Sequence, residues 1–301
     1  MFEPESFLQL QTIRDFIRYA WSRFNQEELF FGHGTDNAWD EAVHLVLGSL
    51  HLPWDVDANM LDARLVDHEK LALAEAIGKR VLRRIPTPYI LGEAWFMGLP
   101  FHITQDVLIP RSPIAELLEN ELQPWLEQPP LRILDLCCGS GCIGIAAAHV
   151  FPEAEVVLAD ISPQALEVAR KNVARHHLGD RCTVVESDMF DALQGEFDVI
   201  LTNPPYVDKP DMDSLPPEYL HEPELGLASG VDGLDAARII LARAADFLSD
   251  GGFMVCEVGN SMEALQNSYP EIMFIFPEFE KGGDGVFVMT KDDLLGCREL
   301  L

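Results

Sequence analysis

The sequence predicts a doubly wound α/β sheet, mostly parallel, with an antiparallel hairpin at one edge and a small helical domain in front of it. Strand-like and helix-like segments alternate after Pro130, and parallel strands need crossover connections of that kind. The last two apolar runs, Glu271 to Phe276 and Gly285 to Met289, are joined by a short loop, which favours an antiparallel pair. Before Leu91 the apolar residues instead recur at helical spacing.

Three apolar sets make up the helical region. They are Phe7, Ile13, Phe16, Ile17 and Ala20; then Ala42, Val43, Val46 and Leu47; then Leu71, Ala74, Ile77, Val81 and Leu82. Breaks at Gly32 to Gly34, Leu52 to Pro53 and Pro86 to Pro88 separate them and close the region with a proline-punctuated exit. Residues 1–88 carry no catalytic spacing and read as a recognition domain. Residues 89–115 read as a hairpin linker, from the short runs Ala94 to Phe96 and Leu99 to Ile103 around Met97 and Gly98.

Residues 116–301 hold the alternation. Leu131 to Leu136 is a buried strand, Cys142 to His149 a helix, Glu155 to Ala159 a strand, and Pro163 to His176 a helix with Ser162 as its N-cap. Strands Cys182 to Glu186 and Phe197 to Thr202 follow, then a helix from about Leu234 to Phe247 and a strand Phe253 to Val258.

At 301 residues the chain is long enough for two domains, and 48% hydrophobic with 24% charged residues excludes disorder. Twenty-one Lys+Arg against fifty Asp+Glu leave a formal charge of -29, which opposes general nucleic-acid binding and suits a cationic partner. Nine basic and fourteen acidic residues fall in 1–90, so most of the acid excess lies beyond. Six cysteines without a Cys-x-x-Cys pair point to reduced thiols in a cytoplasmic protein without a metal site. Neither a secretory leader nor a membrane-spanning run is expected.

The chemistry collects at successive strand ends. Asp135, Leu136, Cys137, Cys138, Gly139, Ser140 and Gly141 end the first strand, and Gly139, Gly141 and Gly144 have G-x-G-x-x-G spacing, which lets a ligand approach backbone N–H groups. Asp160 ends the second strand, where a carboxylate can accept both hydroxyls of a ribose. Asp188 and Met189 follow the third, suited to an adenine amino group and ring. After the fourth come Asn203, Pro204, Pro205 and Tyr206. The side-chain carbonyl of Asn203 and the main-chain carbonyl of Pro204 can accept both hydrogens of a planar NH2 group, while Tyr206 offers a face to stack on it. That set suits an amide or an aromatic amine.

The glycine turn, Asp160 and the tetrapeptide resemble the S-adenosylmethionine-dependent methyltransferases acting on conjugated nitrogen. Pro88 to Gly92, Phe96, Gly98, Phe101 and Val107 to Arg111 are similar to the linker of the protein-(glutamine-N(5)) methyltransferases, and Glu222, Pro223 and Gly230 to Leu234 to another segment of that family. The resemblance implies a class I S-adenosylmethionine-dependent methyltransferase sheet. It also implies S-adenosylmethionine as cofactor, bound by Asp135, Cys137, Cys138, Gly139, Ser140, Gly141, Asp160, Asp188, Met189 and Asn203, with Asn203 to Tyr206 catalytic. Release-factor enzymes usually continue the linker with Pro-x-Thr-Glu, whereas this chain has Arg111, Ser112, Pro113, Ile114, Ala115 and Glu116. That departure resembles the subgroup modifying the third large-subunit ribosomal protein, a basic partner that a negative enzyme would attract. A release-factor enzyme, an RNA or DNA amino-methyltransferase and a non-enzymatic ribosome-assembly factor stay open as alternatives.

Overall fold

The computed structural model describes Phe7 and residues 9–301. The chain divides into two compact units, one running through Ala94 together with Pro216–His221, the other comprising Trp95–Leu215 and Glu222–Leu301. The division at 94/95 falls inside the predicted linker 89–115 between the predicted segments 1–88 and 116–301, and 216–221 leave the third of these segments. Six residues deep in the second half pack with the helical unit.

In that helical unit, α1 spans Ile13–Gln26, α2 Ala38–Ser49 and α3 Asp67–Arg83. Helix α1 starts at a capping box, in which Thr12 accepts from the Asp15 N–H and Asp15 accepts from the Thr12 N–H. Phe16, Ile17, Leu45, Leu73 and Ile77 form its buried centre; of the third predicted apolar set Ile77 and Val81 are buried, whereas Leu71 and Leu82 are exposed. Arg80 is 1% exposed and bonded at all three of its nitrogens: Nε donates to Glu41 at 2.5 Å, Nη1 to Glu218 at 3.1 Å and Nη2 to the Phe30 carbonyl at 2.7 Å. The expected break at Pro86 to Pro88 instead begins a short helix, α4, Thr87–Leu91. Proline is tolerated in a first turn, where its missing N–H has no partner to lose.

The hairpin is β1, Glu93–Phe96, and β2, Leu99–His102, turning at Met97 and Gly98, both at positive φ. Helix α5, Ile114–Glu119, leads into the sheet. Its strands and helices alternate as β3 (Arg132–Leu136), α6 (Cys142–Val150), β4 (Glu155–Asp160), α7 (Pro163–Arg175), β5 (Cys182–Glu186) and β6 (Phe197–Thr202). Then follow α8 (Lys209–Ser214), α9 (Asp235–Arg243), β7 (Leu248–Glu257), α10 (Met262–Ser268), β8 (Val286–Thr290) and α11 (Lys291–Gly296). Spatially the order is β5-β4-β3-β6-β7-β8, parallel except for β8, which runs antiparallel to β7.

The period-2 alternation of side chains puts Leu134, Leu136, Ile200 and Met254 on the face covered by α9 and α11. Helices α6 and α7 cover the other face. The antiparallel edge is present, but Glu271 to Phe276 is not its second strand: it makes a single bridge, Ile275 to Val288. Phe274 and Phe276 pack edge-on against Phe287 while Met273 stays exposed, and Pro277 has no N–H to extend a ladder. No described helix is long and apolar enough to cross a membrane.

Candidate active site

Strand order reverses between β3 and β6, which sends the crossovers from their C-terminal ends in opposite directions and opens a crevice there. A cavity of about 230 Å³ occupies that place. Of the sequence-predicted residues, Cys137, Gly139, Asp160, Asp188, Met189 and Asn203 line it, as does Pro205. Asp135, Cys138, Ser140 and Gly141 stand behind the wall and shape it. Asp135 is fully buried and accepts the Gly144 N–H at 2.7 Å, fastening α6 to β3. Burial pushes its carboxyl up to about 8, a rise that the Gly144 bond opposes and nearby Asp160 reinforces. The Cys138 N–H donates to Ala159 and the Gly141 N–H to Cys138, while the Ser140 carbonyl accepts from Asn172.

Gly139 and Gly141 adopt positive φ, and a Cβ at Gly139 would meet nothing within 4 Å. That open face is where a cofactor can lie against the backbone. The Asp160 carboxylate holds the turn from the neighbouring strand, accepting the Gly139 N–H at 2.8 Å and the Ser162 N–H at 2.9 Å. Burial raises its pKa, although those backbone bonds pull the other way. On β5's exit, the buried Ser187 hydroxyl donates to the Met189 carbonyl at 2.8 Å, which shapes the Asp188–Met189 turn with Met189 at φ 46. The Met189 sulfur lies 3.9 Å from that of Cys137. Burial pushes the thiols of Cys137, Cys138 and Cys142 up, so none is an activated nucleophile.

The ionisable lining of this cavity is lopsided: Asp106, Asp160 and Asp188 contribute carboxylates, and among the described residues no Lys or Arg lines it. A cation is favoured there over a phosphate. Asn203 and Leu108 also border a smaller cavity of about 30 Å³ whose wall includes Tyr206 and Arg111. Asn203 thus stands at the junction of the two, and buried Pro204 lines neither. The Thr202 hydroxyl beneath them donates to the Leu136 carbonyl at 2.8 Å, joining the ends of β3 and β6.

A model of the methyltransferase small domain matches residues 115–217. A ribosomal protein uL3 glutamine methyltransferase of Francisella tularensis is 47% identical over 293 residues, covering 96% of this chain and 93% of that protein. One of the same description from Neisseria gonorrhoeae is 47% identical over 291 residues, covering 96% and 97%. The chain belongs to the ribosomal protein uL3 glutamine methyltransferase family. A solved methyltransferase from Pyrococcus furiosus aligns at 18% identity and TM-score 0.45, over 64% of this chain and 89% of that one.

In this member of the family, site residues that the strand ends did not reveal come from loops. Asp106, Val107 and Leu108 follow the hairpin, and Pro223, Leu225 and Gly226 line the same larger cavity, with Gly226 packed against the Leu108 side chain. Arg111 fastens the two loops: its Nη1 and Nη2 reach the Glu222 carboxylate at 2.5 and 2.6 Å, and the Ile109 N–H donates to the same group at 3.1 Å. Glu257, also unforeseen, accepts from Tyr206 and Ser112. Its only signal in the sequence is a carboxylate inside the apolar run Phe253 to Val258.

Proposed function

We propose that the protein transfers a methyl group from S-adenosylmethionine to the side-chain amide nitrogen of a glutamine in ribosomal protein uL3. Family membership supports the class of reaction, and the position of Asn203 at the junction of a carboxylate-lined cavity and a tyrosine-walled one carries the reading. The residues fit the cofactor. The open turn at Gly139 accommodates close approach, Asp160 accepts from the ribose, Asp188 and Met189 meet the adenine, and the carboxylates suit its positive charge. S-adenosylmethionine supplies a methyl group already activated on a sulfonium.

The remaining work falls to the chain. An amide nitrogen is a weak nucleophile because its lone pair is delocalised, so the protein must hold it in line and stabilise the positive charge that grows on it. The side-chain carbonyl of Asn203 and the main-chain carbonyl of Pro204 accept the two N–H bonds, and Tyr206 stacks on the amide plane. The proton then passes to water.

The helical unit and the linker are assigned to recognition of the intact protein, because a single glutamine side chain offers too little area for selectivity. The test is methyl-tritium transfer to purified uL3, release factor and ribosomal RNA. Label should enter uL3, and Asn203→Ala should lower the single-turnover rate by about 100-fold while cofactor affinity falls far less. Label in RNA or release factor instead of uL3 would overturn the substrate assignment. An unchanged rate in Asn203→Ala would overturn the mechanism.

A further inference from the structure

Glu257 ends β7 with 4% of its surface exposed. Its two oxygens are used separately: Oε1 accepts from the Tyr206 hydroxyl at 3.1 Å, and Oε2 from the Ser112 hydroxyl at 2.6 Å. Those hydroxyls come from two segments that border the smaller cavity, one through Tyr206 itself and the other through Arg111, the neighbour of Ser112. Tyr206 ends the tetrapeptide, and Ser112 follows Arg111, whose guanidinium is fastened to Glu222. Tyr206 is gripped at other points too. Its carbonyl accepts the Ser261 hydroxyl at 2.7 Å, and a Cβ at Gly259 would lie 2.5 Å from its ring.

A buried carboxylate opposes folding unless its oxygens are satisfied, and a neutral side chain would end this strand at smaller desolvation cost. Here both satisfying hydroxyls belong to segments that bound the space beside Asn203. Resting on the proposed amide methylation, we infer that Glu257 is a positioning residue. It sets the plane of the Tyr206 ring against the target amide and ties that ring to the linker through Ser112. In its ionised form the carboxylate also draws on the phenol proton and enriches the ring face, which then faces the cationic charge developing on nitrogen.

The surroundings of Glu257 decide when it is ionised. Burial pushes its carboxyl up to about 7, opposed by the hydroxyls of Ser112 and Tyr206 and by the Arg111 guanidinium. Across the ladder it meets Val286 of β8, and next to it the Cys256 thiol is pushed up by its own burial. The ionised fraction therefore rises through neutral pH, and transfer should rise with it.

Single-turnover methylation of uL3, calorimetric affinity for S-adenosylmethionine and thermal melting are measured on the full-length wild type, E257Q, Y206F and the double variant. E257Q and Y206F should each slow transfer about tenfold, the loss of one hydrogen bond, with cofactor Kd and KM for uL3 within about twofold of wild type. The double variant should be no slower than the slower single, because Glu257 acts through Tyr206. The rising limb near pH 7 should be absent from E257Q. Wild-type rates in either single variant, losses that multiply in the double, or an unchanged pH limb in E257Q would overturn the inference. Should E257Q not fold, Y206F decides by itself: a wild-type rate in it overturns the positioning role and a tenfold loss upholds it. A wild type that transfers no methyl to uL3 overturns the proposed function and this inference together, whereas transfer that the variants leave untouched overturns the inference alone.

Discussion

Asp160 shows how much one carboxylate can hold at the end of a strand. Each of its oxygens accepts one backbone N–H, from Gly139 or Ser162, and in the proposed site each would turn a second lone pair to a ribose hydroxyl. Asp160→Ala should weaken S-adenosylmethionine binding by about 2–4 kcal/mol, since two hydrogen bonds go and the turn loses its anchor. Calorimetry returning the wild-type Kd would remove Asp160 from the cofactor site. The buried carboxyls also set the pH response. Asp135, raised to about 8, and Glu257, raised to about 7, keep protons in the folded chain that the unfolded chain loses above about pH 5. Stability from these two groups is therefore full at low pH and is lost as pH rises, by up to about 1.4 kcal/mol per pH unit for each proton. His44, His149 and His176, lowered by burial, act oppositely, adding stability as pH climbs to about 6.5. Urea midpoints should therefore fall from about pH 6.5 to 8, and E257Q should fall less steeply than wild type. Parallel curves for the two proteins would count against a protonated Glu257 in the fold.

Among the elements, α6 is the one on which the turn depends. A Cβ at Gly144 would lie 2.3 Å from Leu158 Cδ2 and 2.8 Å from Asp135 Cβ, so the helix is seated directly on β3 and β4. Gly144→Ala should destabilise the fold by about 1–3 kcal/mol through overpacking. Because Gly144 also donates to Asp135, cofactor affinity should drop with stability, read by urea unfolding and calorimetry. Elements like this one were legible in the sequence. β3 and β6 are continuous apolar runs, and the glycines and Asn203 to Tyr206 sit at their ends, so local pattern and chemistry coincide. Ile114–Glu119 and Met262–Ser268 were not, because helices of six or seven residues owe their existence to tertiary packing rather than to propensity. Neither was Glu257, whose partners lie 51 and 145 residues away in sequence. Asp106 and Leu225 escaped for the same reason, since a loop residue joins a cavity only once the chain has folded.

At the scale of the molecule, the charge of -29 should make encounter with a basic substrate salt-sensitive. kcat/KM for uL3 should fall with ionic strength while kcat holds, and a flat salt profile would mean that the field plays no part in recognition. Stability of the helical unit turns on Arg80. Arg80→Ala strands Glu41 and Glu218 without their buried counterion, a loss expected to reach about 3–5 kcal/mol by thermal melting. A melt within error of wild type would show that the network contributes nothing net. Glu218 belongs to the six-residue stretch that packs with this unit from beyond the middle of the sheet domain. On a translating ribosome, a helical unit built only from the start of the chain could close as soon as it emerged. This one still lacks Glu218, the second of the two carboxylates on its most deeply buried arginine, until β3 to β6 have all been synthesised, so the first domain to be made is among the last to be finished.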